Sequence, residues 1–545
     1  MKIINTIKQL KLSYHAITII IAIYFSVILN LPIYKSLHEI FNQLDAVKTG
    51  FIISIPFFFT FALTIIFSLF SWPKITKIFF SILLLTSSLV SYATYNYGTI
   101  FNAEMIENLI ETNVGEASSY LSLRSVLWFL GLGVLPTILL ILTPIKQERF
   151  LALLTKKLGI ILISGLGIGL IASAYYQDYV SVGRNNGYIK RMIIPTYYVN
   201  GIAEYIHQTY FYTPLPYVHI GLDAKQQTAA PGQKPSLVVF ILGETARTYN
   251  YHSNGYPRPT TPFTDAQGVI SYQHVASCGT ATAVSVPCMF SRLDRKNYNE
   301  QRAYHQDNLI DVLNRAGIDI FWKENDAASK GIPKHVKYQE LKRNSHHPLC
   351  TLDGCKDMAL LNHFEQDIHA LQGNSLVVLH LIGSHGPAYF QRYPQEFAYF
   401  QPDCQRDDIE NCTHEQLINT YDNTIRYTDY VVAQTIDRLK QFSDRYNTAL
   451  IYLSDHGESL GENGIYLHGL PYSIAPMEQK HVPLMVWLSD GYQAAQHIDE
   501  SCLKKQAATV HVSQDNLFDS LLGALNVSTH LYRPAKDIFS ACRKR

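Results

Sequence analysis

Five apolar runs precede residue 176, at roughly 14–33, 50–70, 76–96, 122–143 and 158–175. A hydrocarbon core about 30 Å thick is crossed by about 20 helical residues, so each run predicts a membrane span. The first run follows Lys2, Lys8 and Lys11, as a signal peptide would. No small-residue cleavage site closes it and more spans follow, so it reads as a retained anchor. Beyond residue 235 the pattern changes to alternating strand-like and helix-like runs, which predicts an α/β domain. Three of its runs, SLVVFIL (236–242), SLVVLHLI (375–382) and TALIYLS (448–454), are nearly continuous in apolar residues. Strands covered on both faces have that pattern.

Between these regions, residues 176 to about 220 mix apolar and aromatic residues with few charges, which suits a membrane–water interface. GLDAKQQTAAPGQKP (221–235) has the composition of a linker. The expected organisation is therefore a transmembrane domain of five helices at 1–175, interfacial helices and linker at 176–234, and an exported catalytic domain at 235–545.

Charge fixes the orientation. With the N-terminus inside, the inner segments carry Lys2, Lys8, Lys11, Lys74, Lys77, Lys146, Arg149, Lys156 and Lys157. The outer ones carry Lys35, Lys48 and Arg124. This bias follows the positive-inside rule, and five spans then place everything after residue 176 outside. A net charge of +1 offers no electrostatic case for a nucleic-acid partner.

The cysteines agree with that placement. All eight lie beyond the spans, with Cys278/Cys288, Cys350/Cys355 and Cys404/Cys412 as close pairs and Cys502 and Cys542 further apart. An even count confined to the exported part predicts disulfides in an oxidising compartment. The spacings C-x9-C, C-x4-C and C-x7-C do not match zinc-thiolate motifs.

The candidate chemistry lies just after the three apolar strands: Gly243-Glu244, Ser384-His385-Gly386 and Asp455-His456-Gly457. In open α/β sheets, sites form beyond the carboxyl ends of strands. Carboxylate oxygen and imidazole nitrogen both suit zinc, so the tandem Asp455-His456 is a metal-ligand candidate, with His468 in YLHG a further one. SCGTATAVSVPCMF (277–290) offers Thr280 and Thr282 as candidate nucleophiles ahead of a helix. A hydroxyl there faces unpaired backbone N–H groups and a positive dipole end, although threonines at such positions are also ordinary caps.

Together GETAR (243–247), SCGTATAVSVPCMF, GSHGPAY (383–389) and SDHGESLGENGIYLHG (454–469) resemble the bacterial lipid A phosphoethanolamine transferases, which include the mobile colistin-resistance enzymes. The resemblance covers essentially the whole chain and implies an alkaline-phosphatase/sulfatase-like fold in a periplasmic domain, anchored in the bacterial inner membrane. It implies Glu244, Thr282, Asp455 and His456 as zinc ligands, with Thr282, not Thr280, as nucleophile. His385 and His468 correspond to residues that contact the phosphoryl group or hold a second zinc, and Lys330 to a phosphate-binding lysine. Ala327 stands where some relatives have serine.

Asn108 and Glu116, eight residues apart and so on one helical face, correspond to the ethanolamine-headgroup site. The implied reaction moves phosphoethanolamine from phosphatidylethanolamine to a lipid A phosphate through a phosphothreonine, which lowers surface charge and the effect of polymyxins. The implied protein is a monomer with one tightly held zinc. Alternatives are the same chemistry on a core sugar or another envelope glycan, or an inactive binding protein on the same fold.

Overall fold

The computed structural model describes residues 11–544 apart from 43, 45, 112–122, 212–214, 228–231, 327–328, 343–346, 352–353, 407–408, 410–411, 463–464 and 471. The chain forms two compact units, Met1–Thr213 and Pro214–Arg545.

In the first unit, α1 (Tyr14–Leu29) and α2 (Leu31–Phe41) form a pair bent by 49°. After them, α3 (Thr49–Phe70), α4 (Thr76–Asn96), α5 (Ala103–Glu111), α6 (Leu123–Leu142) and α7 (Phe150–Asn185) follow in chain order. Four of these helices are long and apolar enough to cross a membrane, and the bent pair makes a fifth candidate span. The expected run at 158–175 lies inside the longer α7, which leaves helical geometry locally at Tyr175.

Many large apolar side chains stay exposed on these helices, among them Ile53, Phe57, Leu162, Ile163 and Leu170, as lipid-facing positions require. Between helices, an apolar cluster that includes Phe25, Phe67 and Phe80 is joined by small polar groups: Tyr198, on α8 (Thr196–Ile206), shares its hydroxyl with Ser87 Oγ at 2.9 Å and Thr86 Oγ1 at 2.8 Å. After α8 the chain exposes Tyr210 and Phe211, aromatic residues of the interfacial kind.

The second unit is built on a seven-stranded sheet. Its strands are β1 (Ser236–Gly243), β2 (Ile270–Tyr272), β4 (Asp319–Glu324), β5 (Lys337–Glu340), β6 (Ser375–His380), β7 (Asn447–Ser454) and β8 (Leu484–Leu488). β3 (His274–Ala276) pairs outside this sheet with β9 (His511–Ser513). The order is β2-β8-β7-β1-β6-β4-β5, parallel from β7 to β5, with β8 antiparallel to both β7 and β2.

The three apolar runs are thus the three central strands, and every residue of β1, β6 and β7 is buried. Because these neighbours are parallel, their carboxyl ends, and the residues that follow them, converge at one edge. Lys225–Gln226, within the segment of linker composition, pair with Val527–Ser528 and so belong to this unit.

Disulfides join Cys278 to Cys288, Cys350 to Cys355, Cys404 to Cys412 and Cys502 to Cys542. The first ties the loop after β3 to α9 (Thr282–Phe290).

Candidate active site

At the converging edge, Glu244, Asp455 and His456 are fully buried and bring one ligand atom each to within 4.8 Å of the others. Thr282, the first residue of α9, extends its hydroxyl into this group. Its Oγ1 lies 3.1 and 3.3 Å from the two Glu244 carboxylate oxygens and 3.3 Å from His456 Nε2. Thr280 points elsewhere: its hydroxyl donates to the Leu470 carbonyl at 2.6 Å. The geometry therefore separates two threonines that local sequence leaves equivalent.

Backbone and side-chain hydrogen bonds fix the donor atoms. His456 Nδ1 lies 2.9 Å from the Gly457 carbonyl, which can only accept, so Nδ1 donates there and Nε2 faces the cluster. Asp455 Oδ1 accepts from the Thr245 and His456 amides at 3.0 and 2.6 Å. Its Oδ2 is buried, 3.2 Å from His456 Nε2, and takes no hydrogen bond among the described residues.

Burial and the neighbouring Asp455 charge raise the Glu244 carboxyl well above the ordinary range, and burial raises Asp455 in the same direction. Two buried carboxylates, an imidazole nitrogen and a hydroxyl form one converging donor set. That set suits a divalent ion in a tetrahedral site.

Local backbone holds this arrangement. Thr245, directly after Glu244, has φ 56°, a left-handed conformation that non-glycine residues adopt mostly where surroundings enforce it. Here the enforcement comes from α10 (His414–Lys440), whose Tyr421 hydroxyl donates to the Thr245 carbonyl at 2.8 Å and accepts from the Arg247 amide at 3.1 Å. Arg247 in turn bonds the Glu458 carbonyl and Glu462 Oε1, at 3.1 and 2.7 Å, and so links the GETAR loop to the loop after β7. Gly383, at φ 50°, lets the loop after β6 approach Glu244: a Cβ there would lie 2.6 Å from the Glu244 carbonyl oxygen.

Gln514 ties the loop that leads to Thr282 to the loop after β7. Its Oε1 accepts from the Cys278 amide at 2.6 Å, and its Nε2 donates to the Ser454 and Asp455 carbonyls at 2.8 and 2.5 Å. Replacing Gln514 by leucine keeps the volume but strands these three buried groups. The expected cost is at least about 1–3 kcal/mol, read as a lowered midpoint in thermal or denaturant unfolding.

The other expected residues divide. His385 reaches the cluster, with Nδ1 3.4 Å from Glu244 Oε1, and its ring is 6.0 Å from that of His468. The His468 ring lies 4.2 Å from that of His456. Lys330 occupies the loop after β4 at φ 51°, and no hydrogen bond joins it to the four clustered residues. The Asn108 side chain and Glu116 lie outside the described residues.

One functional candidate escaped sequence reasoning. Glu458 is fully buried and pairs with His468 Nδ1 at 2.7 Å through Oε2, while its Oε1 accepts from the Tyr389 hydroxyl at 2.5 Å. Its signal was its place two residues after His456, in a motif where only the Asp-His pair drew attention.

Two family models match this chain: a sulfatase model at residues 236–527 and a phosphoethanolamine transferase EptA/EptB model at residues 59–210. Phosphoethanolamine transferase EptA of Escherichia coli K12 is 40% identical over 99% of this chain and 98% of its own length. The integral membrane lipooligosaccharide phosphoethanolamine transferase A of Neisseria meningitidis superposes with a TM-score of 0.64 at 34% identity, covering 98% of this chain and all of that one. The C-terminal periplasmic domain of phosphoethanolamine transferase EptC of Campylobacter jejuni is 40% identical, with a TM-score of 0.53 over 60% of this chain and 99% of that domain. This chain belongs to the EptA family of phosphoethanolamine transferases, as an integral membrane enzyme whose sulfatase-type catalytic domain lies in the periplasm.

Proposed function

We propose that this enzyme transfers phosphoethanolamine from phosphatidylethanolamine to a phosphate of lipid A, in two displacements through Thr282. The observation that carries the reading is the Thr282 hydroxyl, poised between the Glu244 carboxylate and His456 Nε2 at the start of α9. Glu244, Asp455, His456 and the Thr282 oxygen would hold a zinc ion. Bound there, zinc supplies Lewis acidity and charge neutralisation.

In the first displacement Thr282 Oγ1 attacks the phosphorus and its proton leaves. The bond from phosphorus to the diacylglycerol oxygen breaks, and diacylglycerol departs once that oxygen is protonated. In the second, a lipid A phosphate oxygen attacks the phosphothreonine phosphorus, and Thr282 departs and regains a proton. The N-terminal end of α9 favours both the developing oxyanion and the phosphoryl group.

His468 is the better oriented proton carrier. Glu458 holds its Nδ1 and so fixes which nitrogen faces the reaction. His385, more open to solvent than His468, lies 3.4 Å from Glu244 Oε1, and Lys330, in the loop after β4, would contribute positive charge. In the membrane unit, the acid Glu116 and the amide Asn108 would receive the ethanolamine ammonium.

The transferred group brings an amine to an anionic lipid, which weakens its attraction for cationic peptides. Expression in a polymyxin-sensitive Gram-negative host is expected to add one phosphoethanolamine to lipid A, read by mass spectrometry, and to raise the polymyxin concentration needed to kill. Unmodified lipid A beside a modified core glycan would reject the acceptor and keep the chemistry.

A further inference from the structure

Strands β3 and β9 run parallel, with His274 register-paired to His511, Val275 to Val512 and Ala276 to Ser513. This register sets two imidazoles side by side on one face, their centroids 4.4 Å apart and their planes within 13°. His481 joins them through an antiparallel bridge to Ala276. All three histidines line one cleft of about 390 Å³, whose wall also includes Ser513, Asn516 and Lys536. None of the three belongs to the cluster at Glu244.

The His274 and His511 rings stack face to face at 4.4 Å, which sets their ring nitrogens beside one another at the mouth of the cleft. Neither ring makes a hydrogen bond among the described residues, so their nitrogens remain open to a ligand. The His481 ring stacks against Tyr249, whose hydroxyl lies 3.3 Å from its Nδ1.

Burial lowers the His481 pKa, and the nearby His274, Lys480 and His511 push it the same way against Glu478. Lys536 in the cleft wall lies 3.8 Å from the Asp515 carboxylate. Imidazole nitrogens without a hydrogen-bond partner are metal donors.

We propose that His274, His481 and His511 form a peripheral site for one borderline divalent transition-metal ion, zinc or copper(II), distinct from the catalytic cluster. Three imidazole nitrogens suit both ions by ligand type, and copper(II) stands highest in the affinity order of first-row divalent ions. His274 and His511 are exposed, and holding one ion requires their rings to turn out of the stack toward His481. Sequence reading passes over the site because its histidines are separated by long stretches of chain.

The test uses the full-length protein in detergent, loaded with one equivalent of zinc and freed of excess. It is then titrated with copper(II) sulfate, while released zinc is measured in parallel. One further ion is expected to bind with nitrogen hyperfine structure in its electron paramagnetic resonance spectrum, and without zinc release. His274→Ala and His511→Ala are each expected to weaken that binding by roughly tenfold or more. Phosphoethanolamine transfer should stay at the native rate in both variants, which also reports that they fold. Absence of a further ion would overturn the proposal. So would copper binding that persists unchanged in the triple variant His274→Ala/His481→Ala/His511→Ala, which would place the ion on other histidines.

Discussion

Thr282→Ala is expected to stop phosphoethanolamine transfer, with a rate loss on the order of 10³-fold or more. The substitution removes one oxygen, and that oxygen lies 3.1 Å from Glu244 Oε2 and 3.3 Å from His456 Nε2. Little else changes: α9 begins at Thr282 with Ala281 as its cap, the Thr282 side chain makes no capping bond, and alanine is a good helix former. Glu244, Asp455 and His456 remain to hold the metal.

The variant should therefore fold, keep its bound zinc and fail only in chemistry. Two measurements separate these outcomes. Turnover of a fluorescent phosphatidylethanolamine reports the reaction, and mass spectrometry of the protein after substrate exposure reports a phosphoethanolamine adduct on the peptide that contains residue 282. An adduct on the native peptide and none on the variant supports the two-step route. Undiminished turnover by Thr282→Ala would mean direct transfer between lipids, or a different nucleophile. Thr280→Ala is the internal control, since its hydroxyl is spent on the Leu470 carbonyl and its loss should leave the adduct in place.

The parts of this molecule legible in its sequence were those encoded by local pattern. Spans follow from apolar length, and β1, β6 and β7 from their unbroken apolar runs, which are central strands. Because parallel central strands end at one edge, Glu244, His385, Asp455 and His456 could be expected together before any coordinate was known. The choice between Thr280 and Thr282 rested on family resemblance, because both sit in one small-residue loop and only their partners differ.

What stayed hidden depends on contacts between distant segments. Gln514 lies 236 residues from Cys278 yet accepts its amide proton, and Tyr421 reaches the GETAR loop from α10 across a separation of 174 residues. Glu458 reads locally as a polar residue after the Asp-His pair, and its partner His468 is recognisable only once the loop folds back. The bend between α1 and α2 also escaped, although Pro32 in the first turn of α2 marks a helix start inside the apolar run.

Removal of the metal is expected to abolish transfer and to lower the thermal stability of the periplasmic unit together, and zinc should restore both. The activity loss should reach about 10²–10³-fold or more, the scale on which charge stabilisation at a reacting oxygen is lost. The stability effect follows from what the ion leaves behind. Glu244, Asp455 and His456 are fully buried, Asp455 Oδ2 has no hydrogen bond among the described residues, and both carboxyls are raised above their ordinary range. An ion that binds the folded state and not the unfolded chain adds stability in proportion to the logarithm of its concentration over its dissociation constant. The unfolding midpoint should therefore climb with added zinc.

Asp455→Asn separates the two effects. The amide keeps the oxygen that accepts from Thr245 and His456, at 3.0 and 2.6 Å, but removes a negative charge from the donor set. It should bind less zinc, transfer little phosphoethanolamine and, without metal, unfold at a higher temperature than the metal-free native protein. The last result discriminates most sharply, because a catalytic lesion that stabilises the apo fold is expected only where buried carboxylates crowd together for want of a cation. A metal-free Asp455→Asn protein that unfolds earlier than the metal-free native one would mean that Asp455 serves the fold through its charge, and that the cluster is not built around an ion.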